Sequence, residues 1–258
     1  MKLAELPHRV AGRLKRSASR LAGTDFVAFD EARLPPASMR YCGASFRDDA
    51  TFLSSSDSEA ERLINEFGFG DGSRILEIGC GPGRLPIGLI RKVPEVESYH
   101  GVDIDQRSID WCTRHITKDY SNFEFHTVDA QHDRYKPDGT VMDDAFSLPV
   151  PKAYFDLVYL HSVFANLIER DIKVYLRVFR TALKPGGRVF LTAFVEDGVP
   201  PATINPDDYV VESAGPLNLV RYDRAHLLSL FETNGFTIDR FEHGSELDSQ
   251  SAVYLTLT

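Results

Sequence analysis

Residues 75–83, Ile75-Leu76-Glu77-Ile78-Gly79-Cys80-Gly81-Pro82-Gly83, constrain this chain more than any other stretch. A short apolar strand runs into three glycines at alternate positions. Glycine takes the positive φ angles of a tight turn and lets a ligand approach the backbone. A strand entering such a loop, with a helix leaving it, is the nucleoside-binding corner of an open α/β sheet. The departing helix is legible over 85–92. Apolar strands then alternate with amphipathic stretches. Strands are expected at 74–78, 99–104, 123–128, 155–160 and 188–194. Helices are expected at 106–116, through Val163 and Ile168, over 174–183 and over 224–234. Upstream, Ser54-Ser55-Ser56-Asp57 reads as an N-cap cluster for a helix over 58–67. This order predicts an α/β three-layer sandwich with a mostly parallel sheet. The closing strands, 237–242 and 252–257, have no long helix between them, which predicts an antiparallel edge.

The loop also selects its ligand. A dinucleotide fingerprint reads G-x-G-x-x-G. Here the third glycine comes one residue early, and Arg84 stands where that fingerprint needs glycine. Glu77 repels a pyrophosphate and suits an ammonium group. S-adenosylmethionine (SAM) carries an ammonium and no phosphate. Asp103, in Gly101-Val102-Asp103-Ile104-Asp105, is placed to accept ribose hydroxyls, with Ile104 against the adenine face. Asp129, in Val128-Asp129-Ala130, is placed to accept from the adenine amino group, with Ala130 beside it. One strand-end acid alone is more often a solvated loop residue. Three at successive strand ends point to a nucleoside site made by Glu77, Gly79, Cys80, Gly81, Gly83, Asp103, Ile104, Asp129 and Ala130.

On these motifs, with Phe155-Asp156-Leu157-Val158-Tyr159-Leu160 and Leu183-Lys184-Pro185-Gly186-Gly187-Arg188, residues 74–194 resemble the class I SAM-dependent methyltransferases. The resemblance implies a Rossmann-like, seven-stranded sheet with a reversed last strand. It implies SAM as cofactor and S-adenosylhomocysteine as product. It also places His161-Ser162-Val163-Phe164-Ala165-Asn166 beside the reacting methyl. Methyl transfer is an in-line displacement, and a hydroxyl acceptor gains from a base that takes its proton. His161 is the leading candidate base and a cofactor neighbour. His226 is the second candidate, although a solvated cap position is the commoner role for such a residue. Tyr41, Phe164, Asn166, Phe194 and Tyr222 are candidates to line the acceptor pocket, with core packing the competing role for each aromatic. Arg40 is a candidate partner for the SAM carboxylate, and Trp111 is expected to pack against the sheet or the adenine rim.

Residues 155–194, together with Tyr135-Lys136-Pro137-Asp138-Gly139, resemble small-molecule methyltransferases of bacterial carbohydrate and polysaccharide pathways. That implies O-methylation of a sugar hydroxyl. Another small acceptor (a carboxylate, phenol or lipid) and a non-catalytic SAM-binding module are the alternatives. Leu160-His161-Ser162-Val163 replaces the N-P-P-Y tetrapeptide of members that methylate amide or base nitrogens. The net charge of −9 argues against a nucleic acid partner.

The chain of 258 residues suits one domain with an accessory segment. The expected division is an accessory segment over 1–57 and a methyltransferase domain over 58–258, with long inserts at 131–153 and 196–222. Lys2, Arg9, Arg13, Lys15, Arg16 and Arg20 face Glu5 alone within residues 1–20, which concentrates the acid in the rest of the chain. Three scattered cysteines, Cys42, Cys80 and Cys112, suit a reducing compartment. With no apolar leader at the start, cytoplasm is the expected location. No membrane span is expected, and a homodimer is compatible with the sequence. No residue is assigned to a metal. Gln131-His132-Asp133 and Asp143-Asp144 offer magnesium-type ligands without a recognised spacing.

Overall fold

The computed structural model describes residues 25–41, 43–93 and 95–258. The basic cluster of residues 1–20 and Cys42 lie outside the described residues. The chain forms two compact units. The first comprises the described part of Met1–Gly72 with Cys80–Glu97 and Arg107–Phe123. The second comprises Ser73–Gly79, Ser98–Gln106 and Glu124–Thr258. No helix among the described residues is long and apolar enough to cross a membrane.

In the first unit β1 (Val27–Phe29) and β2 (Ala32–Leu34) form an antiparallel hairpin. Three helices follow, α1 (Asp49–Phe67), α2 (Arg84–Lys92) and α3 (Gln106–Cys112), the last running into a π-helical turn at Thr113–Thr117. A Cβ built on Gly88 of α2 would lie 1.9 Å from the Ser56 carbonyl oxygen of α1. The two helix backbones therefore touch where only glycine fits. Ion pairs rim this crossing: Arg84 with Glu59 at 3.1 Å, Arg91 with Asp57 at 2.9 Å and Lys92 with Glu61 at 2.7 Å.

The start of α1 corrects the sequence reading. The N-cap is Asp48, whose side chain accepts from the Thr51 N–H at 3.0 Å. The helix runs unbroken through residues 57 and 58. The Ser54–Asp57 cluster lies inside it because its polar groups have other partners. Ser56 and Ser58 donate to carbonyls four residues back, Ser55 accepts from Arg84, and Asp57 pairs with Arg91.

The second unit holds the large sheet. Its strands are β3 (Arg74–Ile78), β4 (Ser98–Asp103), β5 (Phe123–Thr127), β6 (Phe155–Leu160), β7 (Leu183–Glu196), β8 (Ala202–Ile204), β9 (Val220–Asp223), β10 (Phe236–Glu242) and β11 (Ser251–Leu257). The main order is β10-β11-β7-β6-β3-β4-β5. The pairs β3–β4, β3–β6 and β6–β7 are parallel, and β11 is antiparallel to both neighbours. This is a mixed sheet whose main path has seven strands and a reversed final strand. The antiparallel edge expected from sequence is the pair β10–β11, with the reversed β11 inserted between β7 and β10. The second insert is not irregular either. Its β9 continues the sheet in parallel beside the end of β7, and β8 pairs antiparallel with β9.

Two helices of this unit, α4 (Glu169–Ala182) and α5 (Arg224–Thr233), share one apolar core with the sheet. The sequence predicted two helices where α4 stands alone. After β6 the chain first takes a left-handed residue, Ser162 (φ +60°), then a 3-10 turn at Phe164–Asn166, so no helix starts until Glu169. β7 begins early, at Leu183. The Lys184–Gly187 turn bulges out of it opposite Asp156, which accepts from Lys184 at 2.7 Å and from the Arg74 N–H at 2.8 Å.

Candidate active site

The order of strands places the site. Connections from β3 run outward to β4 and β5, then return to β6 on the other side of β3. In such sheets the ligand crevice lies outside the carboxyl ends of the strands at this reversal. Ile78 is in register with Leu160 on one side and with Val102 on the other. The next residues, Gly79, His161 and Asp103, therefore stand side by side at the end of the sheet.

Gly79 needs to be glycine twice over. Its φ is +72°, and an added Cβ would lie 2.5 Å from Val163 Cγ2. Its N–H donates to the Val102 carbonyl at 2.8 Å, which ties the loop to β4. Glu77 is buried, and the Tyr99 hydroxyl donates to its carboxylate. Asp103 is half-buried and accepts from the Asp105 N–H at 2.8 Å. Ile104 packs on the edge of the core, and Ala130 is buried. Asp129 is exposed, salt-bridged to Lys136 at 2.8 Å and bonded by Thr140 at 2.5 Å. Those two partners hold its carboxyl below the usual carboxylate range.

The rest of the glycine loop belongs to the first unit. Cys80 is buried. Gly81 (φ +50°) has nothing within 4 Å of an added Cβ, so its backbone borders open space. Gly83 (φ +84°) is the N-cap of α2, and a Cβ there would press on Ile116 at 2.9 Å. The Cys112 thiol lies 3.6 Å from the Gly81 carbonyl and donates to it.

At the end of β6 the side chains of His161 and Glu246 are 9% and 8% exposed, with His161 Nε2 3.8 Å from Glu246 Oε2. A directed chain of hydrogen bonds reaches the other ring nitrogen. Thr192 donates to Gln250 Oε1 at 2.6 Å, and Gln250 donates to Ser162 Oγ at 2.9 Å. Ser162 Oγ then lies 3.2 Å from His161 Nδ1. Ser162 Oγ thus accepts from Gln250 and sits within hydrogen-bond distance of Nδ1, the direction of that bond following the imidazole tautomer. The left-handed Ser162 is held in place by its N–H, which donates to Thr192 Oγ1 at 2.8 Å. Sequence reasoning named His161 as a candidate and did not name Glu246, Gln250 or Thr192, which the structure places beside it. They lie 30 or more residues away, and only strand register brings them together.

The candidate acceptor-lining residues separate. Phe164 is fully buried and stacks near Phe179 and Phe231 in the main core. Tyr222 is fully buried, and its hydroxyl donates to the Leu167 carbonyl at 2.6 Å. Phe194 sits in a small cluster with Ala165, Leu219 and Tyr209. Packing is thus the observed role of these three aromatics. Tyr41 is exposed, in the first unit. Asn166 binds both inserts: its carbonyl accepts from His132 Nε2 at 3.0 Å, and its side-chain amide donates to the Asn218 carbonyl. His226 pairs with Glu169 at 2.9 Å, which joins the start of α5 to the start of α4.

Arg40 does not reach out for a carboxylate ligand. Its guanidinium is buried inside the first unit, paired with Asp49 at 2.9 Å and donating to the Pro35 carbonyl at 2.7 Å. Trp111 is buried and donates to the Asp25 carbonyl at 2.9 Å. The loop positions considered for magnesium are also engaged. His132 uses both ring nitrogens, Nε2 toward Asn166 and Nδ1 accepting from the Arg134 N–H at 3.2 Å. Asp143 accepts from the Ala145 N–H at 2.9 Å.

A family model described as a methyltransferase domain matches residues 76–189. Over this stretch, somewhat less than half of the chain, the sequence resembles a methyltransferase domain. An uncharacterised methyltransferase of Schizosaccharomyces pombe is 29% identical over 116 residues, 45% of this chain and 38% of its own length. A ribosomal protein L11 methyltransferase of Ralstonia nicotianae is 28% identical over 127 residues, 48% of this chain and 33% of its own length. The chain therefore spans little more than a third of either curated relative. The crystal structure of a SAM-dependent methyltransferase of Mesorhizobium loti is 16% identical. The match covers 80% of this chain and 99% of that one, with a TM-score of 0.53. The shared fold is the Rossmann-like methyltransferase fold, with a large, partly antiparallel sheet.

Proposed function

We propose that the protein is a SAM-dependent O-methyltransferase acting on a hydroxyl of a small molecule, with a sugar or oligosaccharide as the acceptor class. The observation that carries this reading is the adjacency of Gly79, Asp103 and His161 at the reversal of the sheet. These residues fit SAM. Gly79 turns at φ +72°, as a backbone cradle requires. Glu77 offers a carboxylate to the ammonium and Asp103 offers one to the ribose. When bound, SAM supplies an electrophilic methyl group on a sulfonium.

The chain's own residues orient the acceptor and move its proton. Glu246 Oε2 lies 3.8 Å from His161 Nε2, and in this reading it favours the tautomer with the proton on Nε2 and the lone pair on Nδ1. An acceptor hydroxyl that displaces Ser162 from Nδ1, or passes its proton through Ser162, is deprotonated as the methyl arrives. Glu246 then stabilises the imidazolium. The sugar assignment rests on the sequence resemblance and on the net negative charge, which disfavours polyanionic acceptors.

The test is transfer of a radiolabelled methyl group from SAM to panels of sugars, phenols, carboxylates and lipids. Label on a sugar hydroxyl supports the proposal. Label on a carboxylate or another acceptor class refutes the sugar assignment and keeps the methyltransferase. Label on none, with S-adenosylhomocysteine bound, identifies a SAM-binding module and refutes the enzyme.

A further inference from the structure

We propose that His100, Glu124 and His126 form a binding site for one divalent transition-metal ion of the zinc type. Alternation along adjacent strands gathers them. Tyr99 of β4 and Phe125 of β5 meet on one face of the sheet, with ring centroids 5.4 Å apart. Their neighbours His100, Glu124 and His126 therefore share the opposite face. One ligand atom from each of the three lies within 4.8 Å of the others. Glu124 Oε2 is 3.6 Å from His126 Nε2 and 4.0 Å from His100 Nδ1. Ligands about 2.0–2.1 Å from a shared tetrahedral ion lie roughly 3.3 Å apart, so small side-chain rotations close the set.

The second observation is the state of the two nitrogens. His100 is 5% exposed. Its Nδ1 and the Nε2 of His126 are both buried with no hydrogen-bond partner among the described residues. Buried polar atoms are nearly always paired, and two imidazole nitrogens left unpaired at one carboxylate call for a shared ligand. The rings are also held in position. His100 and His126 stack at 5.9 Å, and Tyr154 and Phe155 meet His100 edge-on at 6.2 and 5.2 Å. Two imidazoles and a carboxylate suit zinc, cobalt or iron(II), and do not suit the all-oxygen preference of calcium or magnesium. Glu124 is half exposed at the mouth of the cluster, so solvent can complete the coordination shell. β5 ends the main path of the sheet, and an ion here would fasten it to β4. This inference does not depend on the proposed methyl transfer.

The experiment uses the full, untagged chain, stripped with a chelator and titrated with cobalt(II) and zinc(II). Wild-type protein should bind about one equivalent, with visible cobalt bands of nitrogen and oxygen ligation and no thiolate charge-transfer band. Zinc should raise the melting temperature. His126→Gln and Glu124→Gln, each folded by circular dichroism, should bind at least about tenfold more weakly, by the scale seen when metal sites are altered. His100→Asn should do the same. Failure of wild-type protein to take up cobalt or zinc at micromolar concentrations overturns the proposal. So does equal binding by the His100→Asn/His126→Gln double variant, since the ion would then sit elsewhere.

Discussion

At the ends of β3 and β4 the chain shapes its site with backbone. Gly79 turns at positive φ against Val163, its N–H is fixed to β4, and acids stand near both strand ends, Glu77 within β3 and Asp103 closing β4. The two inserts are built the other way, by side chains that grip distant backbone. His132 and Asn166 join the first insert to the turn after β6. Asn205 accepts from the Asn218 and Leu219 N–H groups at 3.0 and 3.1 Å, and Arg177 holds the carbonyls of Asp143, Asp144 and Phe146. A backbone-built site tolerates few sequences and serves one ligand. A side-chain clasp can be rewritten residue by residue, which suits the part of an enzyme that selects its acceptor.

The largest expected effect lies where the two regions meet. His161→Ala should lower turnover by about 10²–10⁴, the usual contribution of a general base, while S-adenosylhomocysteine binds normally. A Glu246→Gln variant should lower turnover less and shift the pH profile of kcat, since it orients the base without touching the acceptor. Near-normal turnover of His161→Ala removes the base from the mechanism.

Gly79→Ala should weaken S-adenosylhomocysteine binding on the order of 100-fold, from positive-φ strain together with the Val163 clash. Gly81→Ala meets no atom and should cost only about tenfold, from φ alone. Equal losses in calorimetry would show that the steric half of this account is wrong. Asn166→Ala keeps its carbonyl and loses the grip on Asn218. It should raise the acceptor KM roughly tenfold, the scale of one lost hydrogen bond, with cofactor affinity unchanged. A fall in cofactor affinity instead would mean that the inserts and the strand ends are not separable.

The smallest effect is on stability against pH. Burial pushes the His132 pKa down, opposed by its bond to Asn166 and by Asp133 and Asp171, with Arg134 reinforcing the shift. The unfolded chain therefore binds more protons at this residue between the lowered value and about 6.5. Stability falls as pH drops through that window. His132→Gln should show a shallower loss of melting temperature there than wild-type protein.

The difference between the regions also explains what could be read from sequence. Glu77, Gly79 and Asp103 occupy fixed places relative to strand ends, so local spacing reveals them. Most strands through β7 were legible from local apolar pattern, and the antiparallel closing pair from the short link between its members. The start of α1 was not, because Ser54–Asp57 resembles a cap until the partners of each hydroxyl and of Asp57 are known. The Arg40–Asp49 pair and the partners of His161 depend on tertiary contacts that no local pattern encodes. The cluster at His100 was readable only in part. Glu124-x-His126 has the spacing of one strand face, but its third member lies on the neighbouring strand.

The central claim is that the strand ends hold SAM rather than a dinucleotide. Titration calorimetry of the full chain with S-adenosylhomocysteine and with NADH tests it directly. The account predicts 1:1 binding of S-adenosylhomocysteine, weakened on the order of 100-fold in Gly79→Ala, and no heat with NADH. Binding of NADH without S-adenosylhomocysteine would contradict it.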